Sequence, residues 1–218
     1  SRMVQERFAE DKPEALPYLN RVINASERMR KLIDDLLNYS KLTASAVFKW
    51  TDLNEILNGT LSDLELTIKE KAVQLVIEDL PKADVIPGQI RQVFQNLISN
   101  AIKFSRKDVI PLLHIKGETI REKSIDSPVD REGSFCRISI RDNGIGFEEK
   151  YLDKIFTLFQ RLHGKEEYEG TGIGLAIVKK IVDKHNGIIS AHSTEDKGTT
   201  FIIVLPIHQE NIAKEKTA

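Results

Sequence analysis

The sequence contains a single cysteine, Cys136, so the chain can form neither an internal disulfide nor a cysteine-rich zinc site. A reducing, cytoplasmic compartment is therefore expected. The longest apolar run, Phe201 to Leu205, is far shorter than the roughly 20 residues of a membrane-spanning helix. No signal peptide is evident either, and we expect no direct contact of this segment with a membrane.

The chain also has no large excess of charge of either sign, because it contains 32 Lys and Arg residues and 33 Asp and Glu residues. Without an excess of positive charge, we expect no nucleic-acid partner. Glycine (12) and proline (7) are few, and 40% of the 218 residues are hydrophobic, which excludes global disorder. This length predicts one large domain, alone or with a small appendage.

Residues 14–42 are predicted to form one long amphipathic helix. Apolar and small residues recur at alternating intervals of three and four, which is typical of helices in bundles. The seam consists of Leu19, Val22, Ser26, Met29, Ile33, Leu36 and Ser40. Two interpretations remain: a surface helix packed on the main domain, or a helix whose partners lie in a second copy or in upstream sequence. The start, Ser-Arg-Met-Val, suggests a fragment of a longer protein.

The rest of the chain mixes predicted strands and helices without strict alternation, which favours an α+β fold over a doubly wound sheet. Alternating apolar residues predict strands near 73–78, 112–120 and 135–141. Further strands are predicted near 47–51, between Pro81 and Pro87, and at 188–193 and 200–205, the last two joined as a hairpin. Helices are predicted near 52–71, 89–104, 148–155 and 172–186.

The predicted helix 89–104 carries a row of polar side chains. Asn96, Asn100 and Lys103 are spaced i, i+4, i+7 and share one face. Taken alone, they could be a solvated surface. Alternatively, an amide oxygen can bind Mg²⁺ without adding charge, and a lysine one turn later can neutralise a phosphate.

Two glycine-rich segments flank helices or strands. Asp142-Asn143-Gly144-Ile145-Gly146 follows a strand, where bare backbone lets a flat ring approach and an aspartate can accept a hydrogen bond from an amine. Gly170-Thr171-Gly172-Ile173-Gly174 opens a helix, a natural seat for phosphate. By itself, the GxGxG spacing is weak evidence for a phosphate-binding site. It matches neither the GxGxxG fingerprint of dinucleotide-binding folds nor a Walker A sequence.

Together and in this order, these motifs resemble those of sensor histidine kinases. Asn96 to Phe104 resembles the N box, Asp142 to Gly146 the G1 box, and Gly170 to Gly174 the G2 box. Phe156-(x)₂-Phe159 resembles the F box, and Gly198 to Phe201 the strand that closes the nucleotide site. The resemblance implies a two-layer α/β sandwich of the Bergerat type that binds ATP and Mg²⁺ under a mobile lid.

The resemblance also implies roles for individual residues. Asn100 would ligate Mg²⁺ with assistance from Asn96, Lys103 would offset phosphate charge, Asp142 would accept the adenine amine, and Arg161 would meet the γ-phosphate. The glycines Gly144, Gly146, Gly170, Gly172 and Gly174 would make room for the nucleotide. Phe104, Ile145, Phe147, Phe159, Thr171, Ile173, Leu175 and Thr199 complete the expected lining. Phe156 and Phe159 would anchor the lid, although both could equally be plain core.

By the same resemblance, residues 1–45 are the second helix of a dimerisation and histidine-phosphotransfer domain, 46–208 the ATP-binding domain and 209–218 a tail. A homodimer through helix 14–42 is implied, with a response-regulator receiver domain as partner. None of the five histidines, namely His114, His163, His185, His192 and His208, has the expected setting of a phosphate acceptor. The acceptor should therefore lie upstream of Ser1.

Three functions stay open. The leading one is transfer of the γ-phosphoryl group of ATP to that upstream histidine and then to an Asp of the receiver. Related ATPases carry a Glu where this chain has Asn96, and an amide cannot activate water, so ATP should be held rather than hydrolysed. The alternatives are a degenerate ATP-sensing module without phosphoryl transfer and an anti-sigma-factor serine kinase.

Overall fold

The computed structural model describes residues 16–41, 47–160, 162 and 170–209, in two compact units. The first contains helix α1 (Leu16–Lys41), which confirms the predicted long helix. Large apolar side chains along α1 are exposed: Tyr18, Val22, Met29, Ile33, Leu36 and Leu37. None of the helices in the described ranges combines the length and hydropathy needed to span a bilayer.

The second unit contains four helices, seven strands and one 3₁₀ turn among its described residues. In chain order they are β1 (Lys49–Asp52), α2 (Leu53–Asp63), α3 (Glu65–Glu70), β2 (Gln74–Ile77), β3 (Lys82–Val85), α4 (Pro87–Lys103), β4 (Leu112–Ile120), β5 (Phe135–Asp142), the 3₁₀ turn Glu149–Tyr151, α5 (Gly174–Lys184), β6 (Ile188–Thr194) and β7 (Gly198–Pro206).

Five of the strands form one sheet in the order β2-β4-β5-β7-β6. Strand β2 runs parallel to β4, and the other neighbours are antiparallel. Strands β1 and β3 form a separate antiparallel pair. This mixed arrangement of helices and a five-stranded sheet confirms the predicted α+β class.

The core lies between one face of the large sheet and the helices. Alternate residues of β5 and β7 point to this face, because side chains of a strand alternate in direction. The sheet contributes Ile115, Ile138, Ile140, Phe201 and Ile203, and the helices contribute Leu57, Phe94, Leu97, Ile98, Val178 and Ile181, all nearly inaccessible to solvent. Each such side chain stabilises the fold by roughly 1.5–3 kcal/mol relative to exposure.

Two predicted helices differ from the structure. The helix predicted over 52–71 is interrupted at Leu64, whose N–H is shared between the carbonyls of Thr60 and Leu61, so the last turn of α2 tightens. Its start is as expected, since the Asp52 side chain accepts a hydrogen bond from Asn54 N–H. The helix predicted near 148–155 is only a 3₁₀ turn followed by further turns, because Ile155 alone is buried there and no apolar stripe supports a longer helix.

Candidate functional site

Helix α4 presents its polar row at the edge of the core. Pro87 occupies the first position of the helix, where the N–H that proline lacks would have no partner within the helix. The opposite side of the helix is buried through Ile90, Val93, Phe94 and Leu97. Asn96, Asn100 and Lys103 are each half-buried. The side-chain nitrogen of Asn96 donates to the carbonyl of Gln92 at 2.9 Å. The amide oxygen of Asn96 therefore faces away from its own helix.

Asp142, at the end of β5, is held by backbone donors. Its Oδ1 accepts hydrogen bonds from the N–H of Gly144 at 2.8 Å and from the N–H of Thr199 at 3.1 Å. Among the described residues, no hydrogen bond is made to the other carboxylate oxygen, Oδ2. The arrangement fixes the carboxyl group and leaves one acceptor oxygen for a ligand.

The Asp142 carboxyl group is also largely desolvated. Burial raises the pKa of this group above its usual range, and the two N–H donors of Gly144 and Thr199 counteract that rise in pKa. A desolvated acceptor interacts more strongly with a donor than an exposed one would. The site is thus suited to a polar amine group rather than to a second negative charge.

The hydrogen bonds of Asn143 and the close packing of Gly146 fix the turn after Asp142. The Asn143 side chain accepts from Leu112 N–H at 2.8 Å and donates to the carbonyl of Ile110 at 2.9 Å. Gly146 has a φ of +59°, and a methyl group there would lie 2.1 Å from the carbonyl oxygen of Thr194. Only glycine fits this position, because both the backbone conformation and the space exclude a side chain.

The helix with the polar row contacts this turn directly. The carbonyl of Phe104, the residue that ends α4, accepts a hydrogen bond from Ile145 N–H at 3.0 Å. A methyl group at Gly144 would lie 2.5 Å from the same carbonyl oxygen. The turn therefore packs against the end of α4, which brings two of the sequence motifs to one place.

The glycines at the start of α5 and just before it approach the polar row. A methyl group at Gly174 would lie 2.8 Å from Oδ1 of Asn96, and one at Gly170 would lie 2.9 Å from Nζ of Lys103. Gly172 has a φ of +74°. The polar row of α4, the turn after Asp142 and the glycine segment thus converge within the second unit.

The remaining predicted site residues differ in burial and in hydrogen bonding. Phe147 donates its N–H to the Ser193 hydroxyl at 2.9 Å, Thr199 and Ile173 are buried, and Thr171 and Leu175 are half-buried. Phe156 is half-buried, whereas Phe159 is 57% exposed with a φ of +64°, so Phe159 is not a core residue. Arg161, His163 and residues 164–169 lie outside the described residues.

Sequence reasoning missed two residues that organise the site. The sequence pattern indicates Asn143 only as part of a glycine-rich segment and does not mark Ser193. The paired alternation of the last two strands places Ser193 opposite Thr199, which is the signal that could have found it. The contacts of Asn143 with Ile110 and Leu112 span about 30 positions of the chain and leave no local signal.

Most of the second unit matches a known family of proteins. The profile of the histidine kinase-, DNA gyrase B- and HSP90-like ATPase family matches residues 86–209, which is more than half of the chain. The chain belongs to this ATPase family. The matched segment begins at the residue before α4 and includes every element of the candidate site.

Individual proteins that the chain resembles include a phytochrome and a sensor protein kinase. Cyanobacterial phytochrome A of Nostoc sp. (strain PCC 7120) is 37% identical over 195 residues, which cover 89% of this chain and 24% of that protein. Sensor protein kinase WalK of Staphylococcus aureus is 34% identical over 212 residues, covering 93% of this chain and 48% of that protein. The chain spans about a quarter of the length of the phytochromes that it matches.

Solved structures give the same fold. The catalytic domain of histidine kinase ThkA superposes with a TM-score of 0.60 at 27% identity, over 75% of this chain and 97% of that domain. ThkA in complex with the response regulator protein TrrA superposes with a TM-score of 0.67 at 24% identity, over 92% of this chain and 54% of that one. The second likeness is one of fold alone.

Proposed function

We propose that this ATPase domain binds ATP with Mg²⁺ and that the whole protein transfers the γ-phosphoryl group to a histidine upstream of Ser1. The phosphoryl group then passes to an aspartate of a response-regulator receiver domain. The observation that carries this proposal is the convergence of a fixed carboxyl group, an asparagine row and bare glycine backbone in one place. The kinase names of the relatives support the direction of transfer.

The proposed roles follow from the donors and acceptors present. Asp142 accepts the adenine amine, and Lys103 offsets phosphate charge. Asn100 would hold Mg²⁺ through its amide oxygen. The described residues contain no cluster of three His, Cys, Asp or Glu side chains for a metal. An amide oxygen fits Mg²⁺, which is commonly held by few protein oxygens together with phosphates and water. The metal supplies charge neutralisation at the phosphates.

Asn96 cannot promote the hydrolysis of ATP. Its amide cannot take a proton from water at neutral pH, and its nitrogen is engaged by the Gln92 carbonyl. We infer that ATP is held until an imidazole nitrogen attacks the γ-phosphorus in line and ADP leaves. The protein then contributes positioning and charge stabilisation rather than a general base.

Calorimetric titration with Mg²⁺ and a non-hydrolysable ATP analogue tests the binding site. Asp142→Asn and Asn100→Ala should each lower the affinity at least tenfold, which corresponds to a lost charged or metal-linked contact. The matched control Asp183→Asn, which changes an exposed carboxylate of α5 paired with Lys179, should bind as the unchanged chain does. Unchanged affinity in both site variants contradicts the site.

A second experiment separates a kinase from an ATP-sensing module. The chain is mixed with a separate phosphoacceptor helix, Mg²⁺ and γ-labelled ATP. Acid-labile label on the acceptor histidine supports phosphoryl transfer. Tight binding of ATP without labelling, at an acceptor concentration that saturates any complex, supports the sensing module instead.

A further inference from the structure

Three polar side chains form a row across three neighbouring strands. Ser193 of β6 is paired with Thr199 of β7, and the β5–β7 register ends at Arg141 and Thr200, so Asp142 lies next to Thr199. All three point to the helix-covered face: Asp142 lies two residues from the buried Ile140, Thr199 lies two residues from the buried Phe201, and Ser193 is paired with Thr199. Thr199 is therefore the middle member of the row.

The two hydroxyl groups of this row are buried and share a hydrogen bond. Ser193 and Thr199 are 5% and 7% exposed, and Oγ of Ser193 lies 2.9 Å from Oγ1 of Thr199. The Ser193 oxygen also accepts the N–H of Phe147 at 2.9 Å and lies 3.2 Å from the carbonyl oxygen of Gly198. Ser193 thus joins the turn after Asp142 to the last strand.

Each hydroxyl has one proton, so two arrangements are possible. If Ser193 donates to Thr199, the Thr199 proton remains available to a ligand. If Thr199 donates to Ser193, Ser193 must donate to Gly198 across 3.2 Å, which exceeds the usual 2.5–3.0 Å of an O–H···O bond. The distances favour the first arrangement, in which Thr199 is a donor.

We propose that Ser193 is a positioning residue for base recognition, which holds the Thr199 hydroxyl as a donor beside the Asp142 carboxylate. This inference rests on the proposed ATP site. Adenine presents an exocyclic amine donor with ring-nitrogen acceptors next to it, whereas guanine presents an oxygen acceptor at the position of that amine. An acceptor at Asp142 and a donor at Thr199 complement adenine, and Ser193 keeps the second of these groups in that orientation.

The test compares ATP with three analogues by calorimetry, in the full chain and in Ser193→Ala. Purine riboside triphosphate lacks the amine that Asp142 accepts, and 1-deaza-ATP and 7-deaza-ATP each lack one ring nitrogen beside it. In the full chain we expect about a five- to tenfold loss of affinity for one of the deaza analogues and for the analogue without the amine.

In Ser193→Ala we expect the loss for that deaza analogue to shrink to about twofold or less, because the freed Thr199 hydroxyl no longer keeps its orientation. The loss for purine riboside triphosphate should stay as it is, since Asp142 keeps both of its backbone donors. Ser193→Thr, which keeps a hydroxyl, should restore the original pattern. This selectivity pattern distinguishes positioning from a structural role, because a loosened fold weakens all four nucleotides by one common factor.

The outcomes separate this inference from the proposed function. If the full chain does not bind ATP, both fail. If it binds ATP but neither deaza analogue loses affinity, the inference fails and the proposed function stands. If the full chain discriminates and Ser193→Ala keeps the same ratios, only the role of Ser193 is overturned. Should Ser193→Ala fold poorly, Ser193→Cys runs the same comparison, because a thiol is a weak donor of similar shape.

Discussion

The imidazole Nε2 of His185 accepts a hydrogen bond from the backbone N–H of Ile86 at 3.0 Å. Its Nδ1 lies 2.8 Å from the carbonyl oxygen of Ile181, and a carbonyl can only accept, so Nδ1 carries the proton. The ring is therefore neutral, and burial lowers its pKa below the usual value. His185 ends α5 and Ile86 precedes α4, so this contact ties together the two helices of the candidate site.

We expect the free energy of unfolding to decrease as the pH falls below about 6.5, the ordinary pKa of histidine in an unfolded chain. Below that pH the unfolded chain takes up a proton that folded His185 refuses. The loss is about 1.4 kcal/mol per pH unit until the pH reaches the lowered pKa of the folded state. Urea denaturation at about pH 7.5 and about pH 5.5 measures it.

His185→Gln isolates this contribution, because glutamine does not titrate. The variant should be less stable at neutral pH but should lose less stability on acidification than the unchanged chain. His192→Gln, at an exposed position of β6, is the matched control and should retain the full slope. Parallel loss of stability in the unchanged chain and in His185→Gln would contradict the assignment.

A second prediction concerns the close approach of Gly174 to Asn96. Gly174→Ala places a methyl group 2.8 Å from Oδ1 of Asn96, which must then move. Because alanine is a better helix former than glycine, the fold should not be weakened. We expect the affinity for Mg²⁺ and a non-hydrolysable ATP analogue to fall about tenfold, as for one lost polar contact to a charged ligand.

Gly88→Ala is the matched control for this change. Gly88 lies in the first turn of α4, and a methyl group there meets no atom within 4 Å. Nucleotide affinity in Gly88→Ala should equal that of the unchanged chain. Equal affinities in all three proteins would show that Asn96 does not need its present position for binding.

Local elements of the fold could be predicted from the sequence, whereas contacts between distant segments could not. The strands predicted at 112–120 and 135–141 agree with β4 and β5 to within one residue, because their alternation of apolar and polar residues is local. The row of Asn96, Asn100 and Lys103 is likewise a property of one helix. By contrast, the contact of His185 with Ile86 and that of Ser193 with Phe147 join segments 99 and 46 positions apart, although the pairing of Ser193 with Thr199 is local to the last hairpin. The two distant contacts have no signature in a single sequence.

A third prediction concerns the segment between β4 and β5. The Arg137 guanidinium donates to Glu118 through Nε and Nη2, and through Nη1 to the carbonyls of Ile125 and Ser127. Burial raises the pKa of Glu118, but the hydrogen bonds from Arg137 and Lys116 outweigh it and hold that pKa below its usual range. One side chain therefore fastens the segment to the sheet.

Arg137→Ala should destabilise the fold by about 2 kcal/mol or more, because the part-buried Glu118 carboxylate keeps only Lys116 as a donor and two carbonyls lose the guanidinium. Limited proteolysis should then cut the chain between β4 and β5. Arg121→Ala is the control: the Arg121 side chain is exposed and Asp130 keeps its hydrogen bond from Glu132 N–H, so removing the ion pair should cost less than about 1 kcal/mol. Equal stabilities of the two variants in urea denaturation would contradict the fastening role.

The last prediction concerns the exposed apolar residues of α1. Val22, Met29, Ile33 and Leu36 follow the bundle spacing of three and four, and are 63%, 57%, 58% and 47% exposed. Large apolar side chains at this spacing gain stability when a second helix covers them, at about 25 cal/mol per Å² of buried apolar surface. We therefore expect α1 to associate with α1 of a second copy, as predicted from the sequence.

Sedimentation equilibrium over a range of chain concentrations measures this association. Ile33→Glu places a charge in the predicted seam and should weaken the dimer at least tenfold, because burying an unpaired carboxylate is costly. Lys31→Glu changes an exposed residue outside the seam and should leave the dimer intact. If the unchanged chain remains a monomer at the highest concentration, or if both variants weaken association equally, the seam does not mediate dimerisation.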